Sequence, residues 1–209
     1  MLQSELIPAV EKNSRRLMLM LHGLGDSIEG YRWLPDALNL PWLNYLLVNA
    51  PDEYYGGYSW FDLNDIAPGV RRSQKLLFDL LEDLRAKNFL IEEITLCGFS
   101  QGCLMAVEIG LRYPHRFAGI VGISGWICEP QKLLKELSPA ARQQRLLMTH
   151  GTNDTLIPIE KVRSQIPLLK AAGIQIEWRE FPKVHTIHGE TELVIIREFV
   201  HAGYSVTGE

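Results

Sequence analysis

The chain has 209 residues, of which 46% are hydrophobic and 22% charged, and its 21 basic and 25 acidic side chains leave a formal charge of −4. That length suits one domain able to bury about 70% of the surface its unfolded chain would expose, so no disulfide or metal staple is required, and the mild acidity disfavours a non-specific nucleic-acid binder. The longest apolar run, Leu17 to Leu21, is strand-sized, so no stable membrane insertion is expected, and the first residues, Met1 to Glu11, lack the basic and apolar regions of a signal peptide.

In chain order, Leu17–Leu21 ends in His22-Gly23, Tyr45–Val48 in Asn49-Ala50-Pro51, Ile94–Cys97 in Gly98, Ile120–Ile123 in Ser124-Gly125, and Leu146–Met148 runs through Thr149 into His150-Gly151. Each is a short run, apolar on both faces, that stops at turn residues, which is how a strand of a buried parallel sheet reads. Helical patterns lie between them. Leu77, Leu80, Leu81 and Leu84 share one face of a helix from about Val70 to Lys87. Gln101–Leu111, Glu160–Ala171 and Glu190–His201 also suit helices, with Pro167 expected to kink or interrupt the second and Gly173 placed to cap it. The alternation predicts an α/β fold with a mostly parallel twisted sheet and helices on both faces. Ligands on such sheets bind at the carboxyl ends of the strands. Residues 51–69 have no clear periodicity and hold Tyr54, Tyr55, Tyr58, Trp60 and Phe61. They read as a long loop rich in aromatics, either a wall of a substrate pocket or packing over the sheet edge.

The residues after the apolar runs carry the chemistry. Gly98-Phe99-Ser100-Gln101-Gly102 is a G-x-S-x-G sequence between a strand and a helix. A serine on so tight a turn projects its hydroxyl above the sheet, the glycines allow strand and helix to approach, and the helix N-terminus offers N–H groups to an oxyanion. The plainer reading is a helix-capping serine. A serine hydroxyl needs a base and the base an orienting carboxylate, expected in the order Ser, Asp, His. Asp154 in His150-Gly151-Thr152-Asn153-Asp154 follows a strand and suits the carboxylate, though Asn-Asp is also ordinary turn chemistry. His185 follows the stretch Ile174–Phe181 and is favoured as base, with His188 the alternative and His201 read as a surface residue. Glycines on both sides of Leu24 permit a backbone path that points its N–H at the oxyanion, with the Gln101 N–H as second donor. His22 and Asp26 read as scaffold of that loop.

The thiols Cys97, Cys103 and Cys128 are odd in number and show no CxxC spacing, so a disulfide framework, a redox pair and a thiolate zinc site are not expected, and a cytoplasmic setting is. The His185/His188 pair has no obvious third ligand and no HExxH occurs, so no metal and no cofactor is expected.

With these segments in place the chain resembles the acyl-protein thioesterase, phospholipase and carboxylesterase family of α/β-hydrolases. The matching pieces are His22-Gly23-Leu24-Gly25-Asp26, Trp60-Phe61-Asp62, the serine turn, His150–Asp154 with Ile157-Pro158, and His185-Thr186-Ile187, across about Leu17 to Val200. The resemblance implies a compact single-domain α/β-hydrolase fold over residues 1–209, a Ser100–Asp154–His185 triad, and oxyanion N–H groups from Leu24 and Gln101. It further implies cofactor-free hydrolysis of carboxylic esters or acyl thioesters, lysophospholipid-like esters included. Dimers occur among relatives, which leaves a homodimer open. The chain departs from the family at Val184 and Cys103, where glycines are usual, and in a tail about one residue longer after His185. Only 29 residues separate Ser124 from Asp154, too few for a large cap domain. The substrate is therefore expected to be a small-molecule or acyl-chain ester in an open site, with Tyr54, Tyr55, Tyr58, Trp60 and Trp126 as candidate substrate contacts, Trp60 being the most structural of them. Peptide or lactone cleavage on the same frame, and a non-catalytic binding module, are the alternatives.

Overall fold

The computed structural model of the protein describes residues 2–204. Its strands are β1 (Ser4–Ile7), β2 (Leu17–Leu21), β3 (Asn44–Val48), β4 (Asp52–Tyr54), β5 (Gly57–Ser59), β6 (Ile94–Phe99), β7 (Gly119–Ile123), β8 (Arg145–Gly151) and β9 (Gln175–Phe181). Its helices are α1 (Leu34–Leu38), α2 (Ile66–Ala86), α3 (Gln101–Arg112), α4 (Pro130–Lys135), α5 (Ile159–Arg163), α6 (Ile166–Ala171) and α7 (Gly189–Tyr204). Seven strands form one sheet in the order β1-β3-β2-β6-β7-β8-β9, parallel except for β1, which pairs antiparallel with β3 at the edge.

The five apolar runs are central strands because they are buried on both faces, and their side chains alternate between two cores. Leu17, Leu19, Leu21, Leu96, Ile120 and Leu146 pack with α2, α3 and the short helices on one face. Met18, Met20, Cys97, Val121 and Leu147 pack with α1 and α7 on the other. The chain order reverses between β2 and β6, so the crevice outside their carboxyl ends is where a ligand has access. The loop Gly23–Gly25 and Ser100 both sit there.

One expectation needs correction, one is met, and one strand was not foreseen. Residues 51–69 are not one loop. They contain the antiparallel hairpin β4–β5, which turns through Tyr55 and Gly56, both at positive φ, and α2 begins at Ile66, a full turn before Val70. The helix over Glu160–Ala171 is interrupted, as its proline leads one to expect, into two helices, α5 and α6. Pro167 takes the second position of α6, where a missing N–H costs nothing. Gly173 follows with φ +84°, the left-handed position a capping glycine favours. The edge strand β1 lies outside every element expected from the sequence.

Candidate active site

Ser100 occupies the turn between β6 and α3 with φ 55° and ψ −115°, a strained conformation for a non-glycine residue. Its N–H donates to Ile123 O at 2.9 Å, which fixes the turn to β7. The flanking glycines are steric necessities. A Cβ on Gly98 would lie 2.1 Å from Gly102 O, and one on Gly102 would lie 2.0 Å from Leu21 O. Only there can α3 start so close to both β6 and β2, and so raise the serine hydroxyl above the sheet.

His185 Nε2 is 2.9 Å from Ser100 Oγ, and His185 Nδ1 is 2.7 Å from Asp154 Oδ2. With Asp154 ionised, Nδ1 carries the proton and Nε2 is free to accept from the serine hydroxyl. The other Asp154 oxygen accepts the N–H groups of Leu156 at 3.0 Å and Ile157 at 2.9 Å. Burial alone would raise the Asp154 carboxyl, but the Ile157 N–H, His185 and His150 outweigh it and hold the group below its ordinary value. The buried His150 ring donates from Nε2 to Ile157 O at 2.8 Å and lies 3.5 Å from Asp154 Oδ2, so it braces the loop that carries the carboxylate. Burial lowers the pKa of His150 and keeps it neutral. His188 bonds neither Ser100 nor Asp154. Its N–H donates to Glu192, and its ring packs on Phe181. His201 lies in α7 beside Trp42.

The Gly23–Gly25 loop crosses directly over the serine, since a Cβ on Gly23 would sit 3.3 Å from Ser100 Cβ. Gly25, at φ +77°, donates its N–H to Tyr58 O at 2.8 Å. His22 ties the base of this loop down. Its Nδ1–H donates to Gly23 O at 2.6 Å, its Nε2 accepts the Ala50 N–H at 3.0 Å, and its carbonyl accepts the Trp60 indole N–H at 2.9 Å.

The aromatic segment divides. Tyr54 and Tyr55 line a cleft of about 560 Å³ together with Leu24, Phe61 and Leu63. Trp60 is completely buried and cannot present its ring to a substrate. Tyr58 faces a separate hollow beside Gln3 and Arg32, with its hydroxyl 3.3 Å from Gln3 Oε1. Trp126 is buried with its ring edge-on to Phe61. A smaller cleft, about 330 Å³, is lined by His185 together with Asp26, Trp33, Phe99 and Ile187.

The Gln101 side chain does work that sequence reasoning, which used only its N–H, did not find. It is buried; its Oε1 accepts the Trp60 N–H at 2.9 Å and the Ser59 hydroxyl at 3.3 Å, and its Nε2 donates to Phe61 O at 3.0 Å. The residue after the serine thereby clamps the wall of the larger cleft to the start of α3. No sequence signal marks this role, because a polar residue at a helix start is ordinary.

Comparison with known proteins gives these features a context. The family model described as phospholipase/carboxylesterase matches residues 2–203. Acyl-protein thioesterase 1 of Schizosaccharomyces pombe is 32% identical over 155 residues, 68% of this chain and 69% of that protein. Carboxylesterase SOBER1 of Arabidopsis thaliana is 25% identical over 205 residues, 90% of each chain. The crystal structure of esterase PE8 superposes with a TM-score of 0.84 at 30% identity, covering 96% of this chain and 98% of that one. Among the described residues no helix is long and apolar enough to cross a membrane.

Proposed function

The chain belongs to the phospholipase/carboxylesterase family, and from that premise we propose that it cleaves acyl esters or thioesters through an acyl-enzyme on Ser100. The observation that carries this reading is the unbroken relay Asp154–His185–Ser100, with hydrogen-bond distances of 2.7 and 2.9 Å. In the first step His185 Nε2 takes the Ser100 proton as Oγ attacks the acyl carbonyl. The C–O or C–S bond to the leaving group then breaks, and the imidazolium returns the proton to the departing alcohol or thiol. Asp154, held ionised by its hydrogen bonds, keeps the ring oriented and stabilises its cation. In the second step water attacks the acyl-enzyme with His185 again as base.

The N–H groups of Leu24 and Gln101 take the oxyanion, each worth about 2.7–4 kcal/mol of barrier. The loop that crosses over Ser100 and the start of α3 support that pairing. The cleft bounded by Leu24, Tyr54, Tyr55, Phe61 and Leu63 is the side that takes the acyl chain. The smaller cleft touches His185, which must protonate the leaving group, and so takes the alcohol or thiol. Thioester cleavage enters the proposal through the relative of that name. The free cysteines Cys97, Cys103 and Cys128 support a cytoplasmic setting.

A panel of p-nitrophenyl esters from acetyl to palmitoyl, beside one acyl thioester, tests the reading. Turnover that varies with acyl length is expected. A response flat across the panel would refute a defined acyl cleft, and no turnover of any member would refute the hydrolase.

A further inference from the structure

The loop that carries His185 is held by charges that the reaction does not use. Lys183 lies two residues before His185 with its side chain 1% exposed, and its Nζ meets the fully buried Glu192 of α7 at 2.6 and 2.8 Å. The same Glu192 carboxylate accepts the His188 N–H at 2.6 Å. One carboxylate therefore pins both ends of the segment 183–188, with His185 between them.

The backbone of Lys183 fastens the other partner of the relay. Its carbonyl accepts the Asn153 N–H at 3.1 Å, next to Asp154. The contact is close enough that a Cβ on Gly151 would lie 2.2 Å from Lys183 O and 3.0 Å from Lys183 Cγ. Between the pinned ends the loop turns tightly, with the Thr186 N–H donating to Val184 O at 2.8 Å across His185. Packing holds this segment only in part: the His185 ring meets Phe99 and Ile187 packs on the core, but Val184 is 59% exposed and Thr186 is exposed too.

A buried ion pair is a poor way to gain stability, because desolvation of two charges offsets their attraction and an apolar pair of similar volume does as well or better. What such a pair supplies is geometry, since both charges are satisfied in one arrangement only. We propose that the Lys183–Glu192 pair is a positioning device that holds the His185 loop against the Asp154 loop, acting on turnover through His185 without touching substrate. The proposal rests on His185 being the base of the reaction. Burial pushes the Lys183 ammonium below its ordinary pKa while Glu192 and Asp154 pull it back, which agrees with a cation lodged between α7 and the Asp154 loop.

The test is the double substitution Lys183→Met with Glu192→Gln in the full chain. It leaves no buried charge unpaired, and the new amide oxygen still accepts the His188 N–H; the amide nitrogen loses the Lys183 partner, so Tm falls by about 2–12 °C while the fold stays intact. Turnover of a p-nitrophenyl ester should fall about 10- to 100-fold in kcat, the scale of a catalytic group displaced by about 1 Å, while KM hardly changes. The downfield proton resonance of the His185 Nδ1–H bond to Asp154 should weaken or vanish with it. A folded double variant that keeps the parental kcat, or keeps that resonance unchanged, overturns the proposal. An inactive parent chain would instead strike the hydrolase reading beneath it.

Discussion

Replacing Gln101 by methionine separates the two jobs of that residue. The backbone N–H proposed to bind the oxyanion stays, and a side chain of similar length loses its polar atoms. The Trp60 N–H, bonded at 2.9 Å, is left with no acceptor inside the protein. Phe61 O keeps a partner, the Ser59 hydroxyl at 2.8 Å. The count is one orphaned buried donor, worth about 1–3 kcal/mol. At about 2–4 °C per kcal/mol for a chain of this size, Tm should fall by about 2–12 °C. The function should change selectively, because the segment freed from α3 carries Phe61, part of the larger cleft. Long acyl esters should lose the most kcat/KM and the acetyl ester the least, read by the p-nitrophenyl panel beside a thermal melt. A variant that melts within about 1 °C of the parent, where an orphaned donor would cost more than that, and keeps the same acyl profile, would refute the clamp.

Asp154→Asn should lower kcat by about 10⁴-fold with the fold intact, since an amide favours the wrong imidazole tautomer; a loss under tenfold in steady-state assays would contradict the assigned role. Tyr54→Ala should raise KM for long acyl esters, whereas Tyr58→Ala, which faces the other hollow, should not, and equal effects would undo the division of the aromatic segment. Acid should destabilise the fold early. Burial lowers the pKa of both His22 and His150, so the unfolded chain takes up protons first. Their contribution is complete above the ordinary histidine value of 6.5 and is lost as pH falls through it towards the folded values. The slope is up to about 1.4 kcal/mol per pH unit for each ring. Protonating His22 Nε2 also removes the acceptor of the Ala50 N–H. Thermal melts from pH 7.5 to 5 should show Tm declining below 6.5, and a constant Tm over that range would contradict the neutral, buried state of both rings.

Five strands of the central sheet, β2, β3, β6, β7 and β8, were legible because each is apolar on both faces along most of its length and stops at a turn, the pattern of a buried parallel strand. The serine turn was legible because the glycines that permit it are sterically compulsory at Gly98 and Gly102. The edge strand Ser4–Ile7 escaped because it is only four residues long, exposed at alternate positions and apolar only at Leu6 and Ile7, so it carries no apolar run. The hairpin escaped because its strands have three residues each and its turn is Tyr55-Gly56 rather than a familiar Asn-Gly. Gln101, Lys183 and Glu192 could not have been picked out, because polar residues at a helix start, after a strand and in the first turn of a helix are ordinarily solvated. Only the tertiary arrangement buries them and gives them partners.

The most direct test of the account is covalent labelling of the nucleophile. A fluorophosphonate probe should add one mass increment to the folded protein, on the peptide that contains Ser100, and Ser100→Ala should lose both the label and ester turnover. A Ser100→Ala protein that still hydrolyses esters, or a label carried by another residue, would contradict the claim that Ser100, His185 and Asp154 form the catalytic relay.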